Sequence, residues 1–489
     1  RSLAFRDTNH PFFRFDRGLP VRIQPGVALR LLDGAIEVDS QLEWIPADDG
    51  LSLTPRFKVE PTDGIRVFGR AEIPLNSSVS TLPADSAQFT TGLGFSLGHV
   101  GIESASKLNA GEPPDDDVYG GQTQSIWLSP SLRPGLVKPR GRWARVNLSG
   151  SIAERGSSGP FRPTKRSFLK VLLRMRALAE DPSVDGLVIE VGNNELGYAQ
   201  AWELRQQIQY VRDSGKTTAA YLKNPSFLET YVASQADEVW LLPSAPWEAE
   251  GVRVTEQNYG KTLRKAGIQA EFVRIGKYKS APEAFVRDKP SKPALEQTEA
   301  FVDELYERVV DSIGTNRDLE GARVEKAVNS IPVYPDEAVS EDFADKVVYP
   351  DEVEPYLQSQ YGASQILSSS YDPEGAPNHG WEGRPEVAVV YIDGSIVQGE
   401  STNTPLFDQI LTGSETISNV LDRLARDPGV RAIVIRVDSP GGSAVASDTI
   451  YRKIRRVAQA KPVVASMGDI AASGGYYVAV GADTIYASP

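Results

Sequence analysis

Asp181-Pro182-Ser183-Val184-Asp185-Gly186-Leu187-Val188-Ile189 returns 246 residues later as Asp427-Pro428-Gly429-Val430-Arg431-Ala432-Ile433-Val434-Ile435. The same spacing carries Ala236-Asp237 onto Ala482-Asp483 and Pro243 onto Pro489. Leu148-Ser149-Gly150-Ser151-Ile152 matches Ile392-Asp393-Gly394-Ser395-Ile396 at a spacing of 244, so a small insertion follows the first strand. Two copies of one unit therefore account for much of the chain, and each must share its pattern of buried faces with the other.

Each copy reads as strand, loop, helix, strand, turn, helix, strand, helix, strand, the βαβ alternation of a parallel sheet. Ile417, Val420, Leu421 and Leu424 keep helical spacing, and Ile433 to Val437 is a β-branched run suited to a strand covered on both faces. Val171, Met175 and Leu178 occupy the matching helical places in the first copy. These stripes are read as core. The expected class is α/β, with an all-β region ahead of the repeats.

That region differs in kind. Val21–Ile23, Val27–Trp44, Ile65–Pro74, Gln88–Phe95 and Val100–Ser106 alternate with period two and are broken by turns such as Asp33-Gly34 and Asp63-Gly64. A water-soluble sandwich and part of an outer-membrane-type barrel share this period; the sandwich is slightly favoured. The expected division is residues 1–138 all-β, 139–366 the first α/β repeat, 367–384 a linker and 385–489 the second repeat. Between the copies, Leu295–Ile313 reads as a helix with Phe301, Leu305, Val309 and Val310 on one face.

The chemistry concentrates in the second copy. In Met467-Gly468-Asp469-Ile470-Ala471-Ala472-Ser473-Gly474-Gly475-Tyr476-Tyr477, a strand ending at Met467 and a helix opening near Ser473 would leave a serine hydroxyl bare among small neighbours. Upstream, Asp438-Ser439-Pro440-Gly441-Gly442-Ser443 follows the strand Ala432–Val437 and supplies glycine N–H groups able to face an oxyanion. Either segment alone reads equally well as a tight strand-to-helix turn. Their pairing points to acyl chemistry. In the first copy, Phe227 and Leu228 stand where Ser473 and Gly474 stand, and Glu195-Leu196 where Gly441-Gly442 stand, so only the second copy has the nucleophile.

Composition narrows the choice of base. There is no cysteine, which removes thiol nucleophiles, thiolate metal sites and disulfides. The three histidines, His10, His99 and His379, are remote from the serine, so a Ser-His-Asp triad is disfavoured and a lysine base is favoured. A net charge of −13 offers no basic field for nucleic acid. No metal-ligand cluster is apparent and no cofactor is expected. No run of about 18 apolar residues appears.

The lysine candidate lies in Arg274-Ile275-Gly276-Lys277-Tyr278-Lys279-Ser280-Ala281. With that segment, the duplicated unit, the SPGG segment and the ASGGY segment, residues 140–489 resemble the double-length members of the signal peptide peptidase A (protease IV) family, which belongs to the Clp protease/crotonase-like folds. The resemblance implies two tandem crotonase/Clp-protease-like repeats, Ser473 as nucleophile and Lys279 as general base. Gly442 and Gly474 are the choice for the oxyanion hole. Ser280, Ser443 and Asp438 are lesser candidates for lining the site, and Lys277 reads as a solvated charge. The family further implies a serine endopeptidase acting on signal peptides and other hydrophobic peptides in the bacterial envelope, as a membrane-associated homo-oligomer with its catalytic part outside the cytoplasm. The β region departs from the usual family pattern. The first repeat runs about 120 residues past Pro243, so the second is expected to continue past Pro489. Two other readings stand beside this one: a crotonase-like acyl-CoA enzyme, whose acid/base work would fall to a carboxylate such as Asp469, and a non-catalytic envelope scaffold.

Overall fold

The computed structural model describes residues 2–6, 22–31, 35–45, 50–62, 64–75, 87–97, 100–109, 120–128, 141–159, 162–192, 196–330, 333–371, 373, 385–404 and 409–489. His10, His99, His379, Glu195 and, of the expected linker, residues 372 and 374–384 lie outside the described residues. The chain forms two compact units. One comprises residues up to Pro139; the other is Arg140–Pro373 with Pro385–Pro489.

The first unit is a single antiparallel sheet whose strands follow chain order: β1 (Ser2–Arg6), β2 (Arg22–Leu31), β3 (Ile36–Ile45), β4 (Gly50–Thr62), β5 (Ile65–Pro74), β6 (Gln88–Ser96), β7 (Val100–Asn109) and β8 (Gly120–Leu128). Among the described residues this unit has no second sheet, so the slightly favoured sandwich gives way to one continuous meander. Gly64, at φ 81°, occupies the left-handed region in the tight turn from β4 to β5.

The second unit holds two six-stranded sheets. After β9 (Arg142–Asn147) comes a small sheet of β10 (Ile152–Ala153), β11 (Ser157–Gly159) and β12 (Arg162–Ser167). Then follow α1 (Phe168–Glu180), β13 (Gly186–Gly192), α2 (Tyr198–Asp213), β14 (Thr217–Asn224), α3 (Phe227–Ala233) and β15 (Glu238–Leu241). A helical stretch comprises α4 (Gly260–Lys265), α5 (Glu283–Val286), α6 (Lys292–Arg317), α7 (Gly321–Val328) and α8 (Pro335–Ser340). It leads to β16 (Lys346–Val347), α9 (Val353–Tyr361) and β17 (Gln365–Leu367). The chain then enters β18 (Glu386–Val397), β19 (Thr402–Thr404), β20 (Gln409–Gly413), α10 (Ser414–Arg426), β21 (Val430–Gly442), α11 (Ala444–Ala458), β22 (Val463–Ala471), α12 (Gly474–Ala479) and β23 (Thr484–Tyr486).

The sheet orders are β17-β9-β13-β14-β15-β16 and β19-β20-β18-β21-β22-β23. The inner runs β9-β13-β14-β15 and β18-β21-β22-β23 are parallel throughout and follow the same order. β13 is buried along its whole length, as its apolar run requires. Met175 and Leu178 of α1 and Ile417 and Leu421 of α10 enter the cores, as their helical spacing predicts. Ile433, Ile435 and Val437 are fully buried in β21, each contributing about 1.5–3 kcal/mol by removal from water.

Candidate active site

Ser473 sits between β22 and α12, in the N-cap place of that helix, and its residue is exposed while Gly474 and Gly475 behind it are buried. Its backbone is at φ 50°, ψ −113°, and its side chain makes no capping hydrogen bond. A residue bearing a Cβ adopts such a conformation only when its surroundings hold it there, at a cost of about 1–3 kcal/mol. Tight packing of the flanking segments does so. A Cβ on Gly441 would lie 2.5 Å from Gly474 N and 2.9 Å from Ser473 Cβ; one on Gly474 would meet Ser447 Oγ at 2.4 Å and Gly442 N at 3.4 Å. Glycine is required on both sides of this approach, and it brings the Gly441-Gly442 backbone against the serine.

The SPGG segment is strand rather than the expected turn. β21 runs through Gly442, with Gly441 opposite Ser395 and Gly442 opposite Ile396 of β18. Parallel pairing extends the strand about five residues beyond the buried run that marks it in the sequence, and likewise β22 continues past Met467 to Ala471. Ser439 holds the segment: its hydroxyl donates to Gly394 O at 2.5 Å and accepts from Gly441 N–H at 3.1 Å. Ser443 caps α11 by accepting from Ala446 N–H, so its hydroxyl is engaged there.

The strands that lead to the serine carry a charged network whose pairing the sequence did not reveal. Arg436 donates to Glu154 through Nε at 2.9 Å and through a terminal nitrogen at 2.8 Å, and to Glu203 at 2.6 Å and Ser466 Oγ at 2.9 Å. Asp469 accepts from Ala199 N–H at 2.8 Å, at the start of α2, and Asp438 accepts from Ile470 N–H at 2.9 Å. The Asp469–Ala199, Arg436–Glu154 and Arg436–Glu203 bonds join the two sheets' halves of the unit across sequence separations of 270, 282 and 233. Burial pushes the carboxyls of Asp469, Asp438 and Glu203 up. Burial first, then the charges of Asp438 and Glu154, pushes Asp393 up to about 6. Burial opposes the Arg436 cation, yet Glu154 and Glu203 outweigh it and raise its pKa. Asp438 and Asp469 stand out in the sequence beside the serine; the sequence signal for Arg436 was its place inside an otherwise β-branched run.

Lys279 lies elsewhere. It is exposed in the segment between α4 and α5, its carbonyl accepting from Arg274 at 2.8 Å, and among the described residues no hydrogen bond joins it to Ser473. Phe272, Val273 and Ile275 beside it are bare, Val273 and Ile275 almost completely. Lys277 rests over the Tyr278 ring at 4.4 Å. Ser280 receives no role at the serine: its N–H donates to Tyr278 O and its carbonyl accepts from Glu283 N–H. Among the described residues, no group of three or more His, Asp or Glu is placed to hold a metal ion.

Comparison with known proteins bears directly on these two segments. The model of peptidase family S49 matches residues 211–363 and 455–489, which hold Lys279 and Ser473. Protease 4 of Salmonella typhi is 30% identical over 340 residues, 66% of this chain and 54% of that protein. These matches support a place in the signal peptide peptidase A family. The chloroplastic serine protease SPPA of Arabidopsis thaliana is 29% identical over 353 residues, 70% of this chain and 50% of that protein. A putative signal peptide peptidase SppA of Enterococcus faecium is 20% identical over 209 residues. The chain spans about half the length of the first two relatives. The match to family S49 implies a Clp-protease-like fold, in keeping with the mixed α/β unit.

Proposed function

We propose that the second unit forms the catalytic part of a serine endopeptidase, built from two copies of one Clp-protease-like βαβ unit, that cleaves signal peptides and other hydrophobic peptides in the bacterial envelope. The observation that carries this reading is the strained, exposed Ser473 pressed against the Gly441-Gly442 backbone. Ser473 Oγ attacks the peptide carbonyl and passes its proton to Lys279 Nζ. The N–H groups of Gly442 and Gly474 receive the oxyanion; one such donor typically accounts for about 3–4 kcal/mol of transition-state stabilisation. The C–N bond then breaks, Lys279 returns the proton to the leaving amine, and water hydrolyses the ester by the same route.

A lysine serves as a base when burial disfavours its ammonium. Lys279 is exposed in the single chain, so the proposal includes assembly: its apolar neighbours Phe272, Val273 and Ile275 pack against another copy, and that contact delivers the amine to a serine. Asp469 is committed to the start of α2, which weighs against an acyl-CoA enzyme using it as acid or base.

Cleavage of an apolar peptide by the chain as an oligomer tests the reading. Ser473→Ala should lower kcat by about 10⁴-fold or more, and Lys279→Ala comparably. Undiminished cleavage by Ser473→Ala would end the peptidase proposal; undiminished cleavage by Lys279→Ala alone would remove the assigned base.

A further inference from the structure

The first unit wears its apolar residues on the wrong side for a protein surrounded by water. Along β6 the residues alternate strictly, and the exposed ones are Phe89, Thr91, Leu93 and Phe95, while Gln88, Thr90, Gly92, Gly94 and Ser96 are the less exposed. Register extends the apolar face across the sheet: Leu29 stands opposite Val38, Val38 opposite Phe57, and Phe95 opposite Ile102. Leu93 and Ile102 are each 48% exposed.

The polar face is the sheltered one. There Asp39 pairs with Arg56 at 2.8 Å and Arg66 with Glu103 at 2.7 Å, with Asp39 17% and Glu103 27% exposed. Arg66 reaches Glu103 over Gly94, where a Cβ would lie 3.2 Å from Glu103 Cγ. The Phe68 ring closes over Gly92 on the same face. A sheet that curls toward its polar face leaves that face the less exposed and the apolar one convex.

We infer that the convex face of β2–β7 lies against the hydrocarbon of a lipid bilayer, as the wall of a transmembrane β-barrel. Three further features agree. β2–β7 are 9 to 13 residues long, the length a tilted strand needs to cross hydrocarbon. The connections on one rim are residues 32–35, 63–64 and 97–99, whereas on the other they are 46–49, 75–87 and 110–119, so the long ones share a rim, as in outer-membrane barrels. Apolar-out, polar-in alternation with charge pairs inside is the arrangement of such a wall.

A second copy fits this face less well, because sheets in a sandwich interdigitate across aligned faces about 10 Å apart and two convex faces meet only along a line. Ser104, Ser106, Gln122 and Gln124 interrupt the apolar face toward β8, so acyl-chain contact is assigned to β2–β6 and to the Val100–Ile102 end of β7. Backbone groups cannot stay unpaired in hydrocarbon, so the wall requires its β1 and β8 edges to be paired in the membrane. The inference is independent of the peptidase proposal.

The absence of cysteine makes the test clean. Val38→Cys and Leu93→Cys on the convex face, and Gln41→Cys and Thr90→Cys on the other, each give the full chain one site for an environment-sensitive dye. After refolding with phosphatidylcholine vesicles carrying brominated acyl chains, dyes at positions 38 and 93 should be quenched by the lipid and shielded from iodide, and dyes at 41 and 90 the reverse. Leu93→Arg should lower the vesicle-bound fraction about 30-fold. Equal iodide quenching at all four positions overturns the inference. Shielding at 38 and 93 that needs no lipid and grows with protein concentration also overturns it, in favour of a second copy. Peptide cleavage by the same samples reports on the peptidase unit separately.

Discussion

α3 and α12 follow equivalent strands of two sheets with the same inner order, yet they begin in opposite ways. Before α3, Ser226 is extended, its hydroxyl accepts from Glu229 N–H, and the Glu229 carboxylate accepts from Ser226 N–H, a complete capping box with Phe227 buried behind it. Before α12, Ser473 has positive φ, no cap and an exposed residue. Where Gly441-Gly442 approaches the second start, Leu196 stands beside the first, and with Phe227 it lines a cavity of about 490 Å³. One start is satisfied and does structural work; the other is held in a strained shape that only function explains.

Four substitutions break or sharpen that contrast. The largest stability effect belongs to the network on the strands leading to the strained start: Arg436→Met strands the buried Glu154 and the partly buried Glu203 and should cost about 3–5 kcal/mol in denaturant unfolding. Gly441→Ala should cost about 2 kcal/mol and abolish cleavage, since its Cβ collides with Ser473 and Gly474 and its φ is 97°. Ser226→Ala, at the satisfied start, should cost only about 1 kcal/mol and leave kcat unchanged.

The fourth effect depends on pH. Asp393 titrates near 6 in the folded chain and near the ordinary aspartate value when unfolded, so the unfolded chain loses its proton first and folding weakens as pH rises from about 4 to 6. Asp393→Asn should therefore stabilise the chain at pH 7, and the gain should vanish below about pH 4. A gain that is instead confined to acid pH would show that its burial is misassigned.

How much of this was readable in the sequence follows from the range of the interactions involved. Local periodicity was enough for the order of strands and helices and for the core stripes of α1 and α10. The small neighbours of Ser473 were enough to place it at a helix start. The strain at Ser473 was not readable, because contact with Gly441, 32 residues away, imposes it. Nor was the Asp469 cap on α2 or the Arg436–Glu154 pair, since each joins residues that local patterns cannot relate. The motif marking Lys279 lies on an exposed segment, and among the described residues no hydrogen bond joins it to Ser473. In the first unit, period two revealed alternation but not which face is the less exposed; that depends on cross-strand pairs such as Arg66 with Glu103.

The most direct test of the central claim is covalent labelling of the assembled protein with a serine-reactive fluorophosphonate, followed by peptide mapping. The account predicts a single adduct at Ser473, absent in Ser473→Ala and slowed in Lys279→Ala. No adduct at Ser473, or the same labelling in Ser473→Ala, would contradict it.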